Sequence, residues 1–318
     1  MTTQLRRFEG NPILQPVAAS PWQTRAAFNP GALSRDGVVH LLYRAAGSGD
    51  GYVSRLGYAT SVDGLHFERA SADPVLTPGE PYDSGAIEDP RIVSIDGQVY
   101  VTYVAVGVPA LTPGKLSHTA LARTPDFRHY ERLGLISPRT DIDDRDTVLL
   151  PERVGGRYVM LHRPQQIQPD GTYQEWGTGR PSSIWVSFSE SLTEWDMGSP
   201  LLRPEQPWEA AKIGAGPPPL WTERGWLVLY HGVDADSVYR AGAALLDLDD
   251  PSQVTGRLAY PVLEPQESYE MVGDHRAVVF PQGAVVLDGD LFVYYGGADS
   301  VCAVATVELD ELLAALVA

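Results

Sequence analysis

The sequence predicts an all-β fold: one five-bladed β-propeller, with residues 1–318 as a single domain. Three observations predict it. A glycine-led, alternating apolar run occurs five times. The runs are spaced almost evenly along the whole chain. Helical periodicity shows only near the C-terminus, in LDELLAALVA (309–318).

The runs are GVVHLLYR from Gly37, GQVYVTYV from Gly97, GRYVMLHR from Gly156, GWLVLYHG from Gly225 and GDLFVYYG from Gly289. Their glycines lie 60, 59, 69 and 64 residues apart. Alternation with period two marks half-buried strands, and the leading glycine marks the turn before each. A strand-like segment precedes every run. It carries Pro30, Pro90, Pro218 or Pro281 seven or eight residues before the glycine in four copies, while Pro151 lies closer in the third. A second alternating segment follows, as in LGYATS, SSIWVSFS and AGAALLDL. Three units then place an aromatic after a polar turn, namely Phe67, Tyr130 and Trp195, which are expected to be blade core at hairpin ends. Each unit is therefore three or four short strands, and radial repetition of such sheets makes a propeller. A parallel β-helix has much shorter repeats, and an α/β fold needs helical periodicity between its strands.

Composition narrows the function. The formal net charge is −17, which disfavours nucleic acid and anionic membrane surfaces as partners. A locally basic pocket for a small anion stays compatible with it. Cys302 is the only cysteine, so no intrachain disulfide forms. The N-terminal residues show no apolar run, so no signal peptide is expected and a cytoplasmic location is the default. Of 24 basic residues only Lys115 and Lys212 are lysine. Lys115 lies in a Pro-Gly loop and is expected to have no special role. Lys212 marks a place that needs a compact ammonium.

Alignment on the five glycines gives a polar column six residues later: Tyr43, Tyr103, His162, His231 and Tyr295. One residue further stand Arg44, Val104, Arg163, Gly232 and Gly296. Inner strands of a propeller converge on its axis, so the first column is expected to line one wet pocket. The segments upstream add Asn29 and Asp89 at equivalent places in the first two units, Asp144, Arg145 and Asp146 in the third, and Lys212 in the fourth; Asp299 closes the fifth. Carboxylates, cations, histidines and tyrosines around one space suit glycoside chemistry, in which a carboxyl group protonates the leaving oxygen.

These residues sit in a set of short motifs: NPIL (11–14), FNPGA (28–32), LLYRA (41–45), SVDGLHF (61–67), EDPRI (88–92), LHRP (161–164), KIGAGPPP (212–219), GWLVLYHG (225–232), YRAGAALLDLDDP (239–251), YE (269–270) and YYGGAD (294–299). In this order the chain resembles glycoside hydrolase family 130, the five-bladed propellers that act as β-mannoside phosphorylases and β-mannosidases. The resemblance implies that Asp89 is the catalytic acid, acting through the 3-hydroxyl of the mannosyl unit. Phosphate then attacks the anomeric carbon from the other face, giving α-mannose 1-phosphate with inversion. Asn29, Arg44 and Asp299 are implied to hold the mannosyl ring, with Tyr239 and Phe280 lining the sugar subsite; Arg91 of the EDPRI motif and, from the polar column, Tyr103 and His162 are expected to join them. Arg163, Lys212 and His231 are implied to bind phosphate. No metal or cofactor is expected, only inorganic phosphate as co-substrate beside the carbohydrate. The oligomeric state is left open.

Two features depart from the family pattern. Arg145-Asp146 stands where many phosphorylases have Lys-Asp, and VAVGVPALTPG follows Tyr103 where polar residues are expected. They keep open a hydrolase reading, in which Glu270 or Asp146 activates water. A non-catalytic sugar-binding propeller would need the pocket but not Asp89. Arabinanase-type propellers need three acids in another motif context. The polar loop 164–181, with Tyr173 and Trp176, is expected to cover the leaving-group subsite.

Overall fold

The computed structural model describes residues 2–49, 51–107, 116–170 and 172–318, so Lys115 and most of the segment after Val106 lie outside the described residues. Five antiparallel sheets stand in a ring. Blade 1 comprises Ala26–Arg35, Val38–Ala46, Arg55–Ser61 and Glu68–Arg69. Blade 2 comprises Ala86–Ile95, Gln98–Val106, His118–Thr124 and Glu131–Leu135. Blade 3 comprises Asp143–Leu149, Tyr158–Ile167, Ile184–Ser189 and Ser199–Leu202, with Tyr173–Glu175 as an extra strand on Tyr158–Ile167. Blade 4 comprises Lys212–Ala215, Gly225–Val233, Tyr239–Leu246 and Val254–Arg257, with Leu220–Thr222 beside its second strand. Blade 5 comprises Val279–Leu287, Asp290–Gly297 and Val301–Glu308. Its outermost strand is Arg6–Arg7 from the other end of the chain, which closes the ring. The C-terminal helix Leu309–Leu316 buries Leu312, Leu313 and Leu316 in the largest apolar cluster, as its periodicity predicts. Phe67, Tyr130 and Trp195 pack against core clusters, as expected of hairpin ends.

The runs found in the sequence are the second strands of the five blades. The column assigned to the pocket needs correction. Tyr43 donates to Gln23 Oε1 (3.1 Å), and Arg69 Nε donates to both groups at 3.2 Å. Tyr103 donates to Asp83, which also takes Arg132. Tyr295 donates to Glu270 (2.7 Å), which takes Arg7 Nε at 2.8 Å. In blade 4 the equivalent clamp is Tyr230, Glu209 and Arg257, not His231. Sheet register gives the reason. Tyr43 faces Pro30, Tyr295 faces Pro281 and Tyr230 faces Ala215, whereas Arg44 faces Phe28, Gly296 faces Phe280 and His231 faces Gly214. Blade 4 has one residue fewer between glycine and tyrosine. A one-residue slip flips a strand side chain to the opposite face, so counting from the glycine put His231 in the wrong column.

Tyr103 and His162 are therefore clamps within the blades, off the axial cavity. His162 Nδ1 contacts Asp144 at 3.0 Å and Nε2 contacts the Met197 carbonyl at 3.2 Å. Glu270 also lies away from the cavity. It is fully buried, caps the short helix Ser268–Met271 and anchors the ring-closing strand through Arg7. The clamp acceptors, one glutamine and three acids, follow aromatics just ahead of their blades, in PWQ (21–23), PYD (81–83), PWE (207–209) and SYE (268–270). That recurrence is the sequence signal for their structural role.

Candidate active site

The first strands of blades 1, 2 and 3 each break register, between Phe28 and Pro30, Glu88 and Arg91, and Arg145 and Val148. Asn29, Asp89 and Asp146 sit at these bulges with φ of 48°, 50° and 54°. A bulge residue leaves the ladder, and Asn and Asp tolerate left-handed backbone better than most residues. The three side chains are thereby turned into one cavity of about 150 Å³. Its wall also includes Arg44, Glu88, Arg145, Arg163, Lys212, His231, Tyr239, Val278, Phe280 and Asp299. Two glycines make room for it. A Cβ on Gly296 would lie 1.9 Å from Asn29 Oδ1, and one on Gly214 would lie 2.2 Å from Asp146 Oδ2.

One half of the cavity is built around Asp89. Its Oδ1 accepts from Asn29 Nδ2 (2.9 Å) and Arg44 NH1 (3.2 Å). Arg44 also donates to Glu88 (2.5 Å) and Ser54 (2.9 Å) and lies over the Phe28 ring. Burial opposes the Arg44 charge, but Glu88 and Asp89 outweigh it and raise its pKa. Asp299 completes this half. Burial pushes its carboxyl up to about 6; Asp89 adds to the shift and Arg44 opposes it.

The other half is cationic and comes from blades 3 and 4. Arg163 NH1 lies 2.6 Å from Asp146 Oδ2 and donates to His231 Nε2 at 3.0 Å. A guanidinium can only donate, so His231 Nε2 holds its lone pair and a neutral ring carries its proton on Nδ1. Burial drives the His231 pKa well below its usual value, and Arg163 and Lys212 push the same way against Asp146. His231 Nδ1 and Arg163 Nε are buried without a hydrogen-bond partner in the protein. Arg145 is held by Asp143 at 3.0 Å. Lys212 makes no ion pair among the described residues. Its ammonium lies 5.3 Å from the Tyr173 ring and 5.4 Å from the Tyr239 ring. Burial, reinforced by Arg163, lowers its pKa to about 7.

Arg91 is 1% exposed and does not line the cavity. It donates to Asp146 Oδ1 (3.0 Å) and to the carbonyls of Gly216, Asp89 and Ala215, so it braces three blades from beneath. Asp146 is fixed by Arg163 and Arg91. Burial works against its ionisation, yet the cations around it, Arg163 first, hold its carboxyl well below the usual range. Arg145 lines the cavity as the sequence expected, and Glu88 and Val278 line it although the sequence reading gave them no role. Its motif neighbour Asp89 was the available signal for Glu88. Tyr173 and Lys212 also line a wider outer chamber of about 570 Å³ with Arg180, Tyr239 and His275. Trp176 packs edge-on against Trp185 instead. Among the described residues no acid–histidine–cysteine cluster suits a metal, and no helix is long and apolar enough to cross a membrane.

A small axial cavity with a carboxyl group facing a cluster of cations defines a class: β-propeller enzymes that combine acid catalysis with anion binding. The sequence model described as beta-1,4-mannooligosaccharide phosphorylase matches residues 4–317. The chain is 38% identical over 315 residues to the 1,2-beta-oligomannan phosphorylase of Thermoanaerobacter sp., covering 97% of this chain and 99% of that protein. The solved β-1,2-mannobiose phosphorylase of Listeria innocua, in complex with β-1,2-mannobiose, superposes with a TM-score of 0.84 at 29% identity, covering 98% and 99% of the two chains. Another solved relative has a TM-score of 0.81 at 26% identity and covers 98% of this chain and 95% of its own. It is described with the statement that the GH130 family of mannoside phosphorylases contains glycoside hydrolases that target β-1,2 mannosidic linkages in Candida mannan. The chain belongs to glycoside hydrolase family 130 and is an enzyme of its phosphorylase type.

Proposed function

We propose that this enzyme cleaves β-1,2-linked mannosides with inorganic phosphate, with inversion, to give α-mannose 1-phosphate. The observation that carries the reading is the meeting of Arg145, Arg163, Lys212 and His231 across one cavity from Asp89. Asn29, Arg44, Phe280 and Asp299 hold the mannosyl ring. Asp89 gives its proton to the mannosyl 3-hydroxyl, whose own proton passes to the glycosidic oxygen as the bond breaks. Phosphate, fixed by Arg163 and Lys212 with the His231 Nδ1 proton as a further donor, attacks the anomeric carbon from the far side. Arg163 offers a planar fork and Lys212 a point charge, which together suit a phosphate dianion. Tyr239 lines the join between the two ligands.

Neither acid assigned to the hydrolase alternative is a suitable base. Glu270 is engaged with Arg7 and Tyr295 outside the cavity. Asp146 is ion-paired and held ionised, and a carboxylate with a strongly depressed pKa is a weak base. The β-1,2 linkage rests on the relatives alone. The test is incubation of β-1,2-mannobiose and β-1,4-mannobiose with and without phosphate. Phosphate-dependent formation of mannose 1-phosphate from the β-1,2 isomer is expected. Release of free mannose at full rate in phosphate-free buffer refutes the reading.

A further inference from the structure

Four blades share one clamp, and blade 3 builds its own differently. In blades 1, 2, 4 and 5 an arginine of the outermost strand and a tyrosine of the second strand meet on an acceptor from the segment ahead of the blade. The third-strand residue paired with that tyrosine is Gly57, Ala120, Gly242 or Ala303. Its small size makes room for the ring, because a Cβ on Gly57 or Gly242 would lie 2.2 Å or 2.4 Å from it. Blade 3 reverses the sizes and pairs His162 with Trp185. Its acceptor also comes from elsewhere. Gln23, Asp83 and Glu209 stand three residues ahead of their blades, whereas Thr140, at that distance ahead of Asp143–Leu149, is exposed. Glu175 takes the place, from the extra strand Tyr173–Glu175. It is fully buried and accepts from Ser183 Oγ, Thr178 Oγ1 (2.6 Å) and Trp185 Nε1 (3.3 Å). Arg203, which follows the outermost strand, lies 3.5 Å from it. The loop 164–181 is thus stapled into its blade.

The staple reaches the cationic half of the cavity. Tyr173 lies two residues before Glu175, and its ring is 5.3 Å from the Lys212 ammonium. Ser183, held by Glu175, adjoins Ser182, which bridges Lys212 in parallel and whose carbonyl accepts from Ile213 N at 3.0 Å. Lys212 has no ion pair among the described residues, so this backbone bridge and the faces of Tyr173 and Tyr239 are what place its ammonium. Asp143, Asp146, Arg145, Arg163 and His231 are the titratable and charged groups that act on it. We propose that Glu175 is a positioning residue for phosphate: it pins Tyr173 and Ser182 around Lys212 and so holds the ammonium at the cavity. This rests on the phosphorylase reading above.

Glu175→Ala tests this through the phosphate KM at saturating mannoside. At pH 7 that KM is expected to rise about tenfold, inside the roughly 10–100-fold range for losing one charge-assisted contact. Burial is the main reason that the Lys212 pKa falls to about 7. With Tyr173 released, the ammonium meets more water and keeps its proton to higher pH. The wild-type rise in phosphate KM from pH 7 to 9 should therefore flatten in Glu175→Ala. Placed in Lys212→Gln, the same substitution should add nothing to the phosphate KM, as for two residues that act through one contact. Glu175→Gln keeps the size and an acceptor oxygen and should restore most of the wild-type behaviour. Asp83→Ala breaks the clamp of blade 2 and should lower Tm while leaving the phosphate KM and its pH profile alone. If Glu175→Ala does not fold, Ser183→Ala, which removes one anchoring hydroxyl, carries the test with the same expected signs. A wild-type phosphate KM and pH profile in the folded variant, a loss that persists in full in Lys212→Gln, or an equal loss in Asp83→Ala overturns the positioning role. A wild-type enzyme whose turnover needs no phosphate overturns the phosphorylase reading, and this one with it.

Discussion

Lys212 offers the sharpest test of phosphate as nucleophile, because it is a half-buried cation with no carboxylate partner among the described residues and its pKa falls to about 7. Lys212→Gln removes one charge-assisted contact to the anion, a loss of about 1.5–3 kcal/mol, or roughly 10–100-fold in phosphate KM. The sugar KM should barely move. The pH dependence is diagnostic. In the free enzyme the ammonium loses its proton above about pH 7, so phosphate binding there must be accompanied by proton uptake. The wild-type phosphate KM should rise as pH goes from 7 to 9, where the phosphate dianion already predominates. In Lys212→Gln that rise should vanish. Stability moves the other way. The folded pKa lies below the unfolded value of 10.5, so between about 7 and 10.5 the unfolded chain binds more protons and stability rises with pH. The burden of the buried charge is fully present below about pH 7. Lys212→Gln should then be more stable than wild type at pH 6, by about 1–2 kcal/mol after allowing for partial solvent contact, and the gain should shrink towards pH 10. Initial rates with varied phosphate, and thermal melts across the same pH range, measure both. An unchanged phosphate KM in the variant, or a pH dependence identical to wild type, refutes the reasoning.

Three further outcomes follow from the geometry. Asp89→Asn keeps a partner for Arg44 but has no proton to give, so turnover should fall roughly 10²–10⁴-fold with little change in Tm; wild-type turnover removes Asp89 from the mechanism. Glu270→Ala leaves Arg7 and Tyr295 without their shared acceptor and should cost about 3–5 kcal/mol in chemical denaturation, while turnover per folded molecule stays near wild type; a collapse of turnover in a stably folded variant would reinstate it as a base. Asp299 has a folded pKa raised to about 6 from 3.8, so the folded chain binds more protons in that window and wild-type stability falls as pH rises through it. Asp299→Asn should therefore gain stability relative to wild type above pH 6 and lose the gain near pH 4, at the expense of mannosyl affinity; a constant Tm difference across that range contradicts the assignment.

The sequence by itself determined the five blades, because alternating apolar runs led by glycine can bury one face only by stacking around an axis, and their spacing fixed the number. It also marked Asn29 and Asp89 as equivalent, since both precede a proline at the same distance from the next glycine. Tertiary structure decided which polar residues share the cavity. Tyr43, Tyr103, His162 and Tyr295 match the polar pattern as well as His231 does, but they clamp blades. Strand side chains alternate between faces, and one residue fewer in the blade 4 turn moves His231 into the column of Arg44 and Arg163. The left-handed bulge that turns Asp146 inwards has no proline to announce it, and the pairing of Glu270 with Arg7 joins residues 263 positions apart. Contacts made across the closed ring depend on which blades become neighbours, and local pattern carries no record of that.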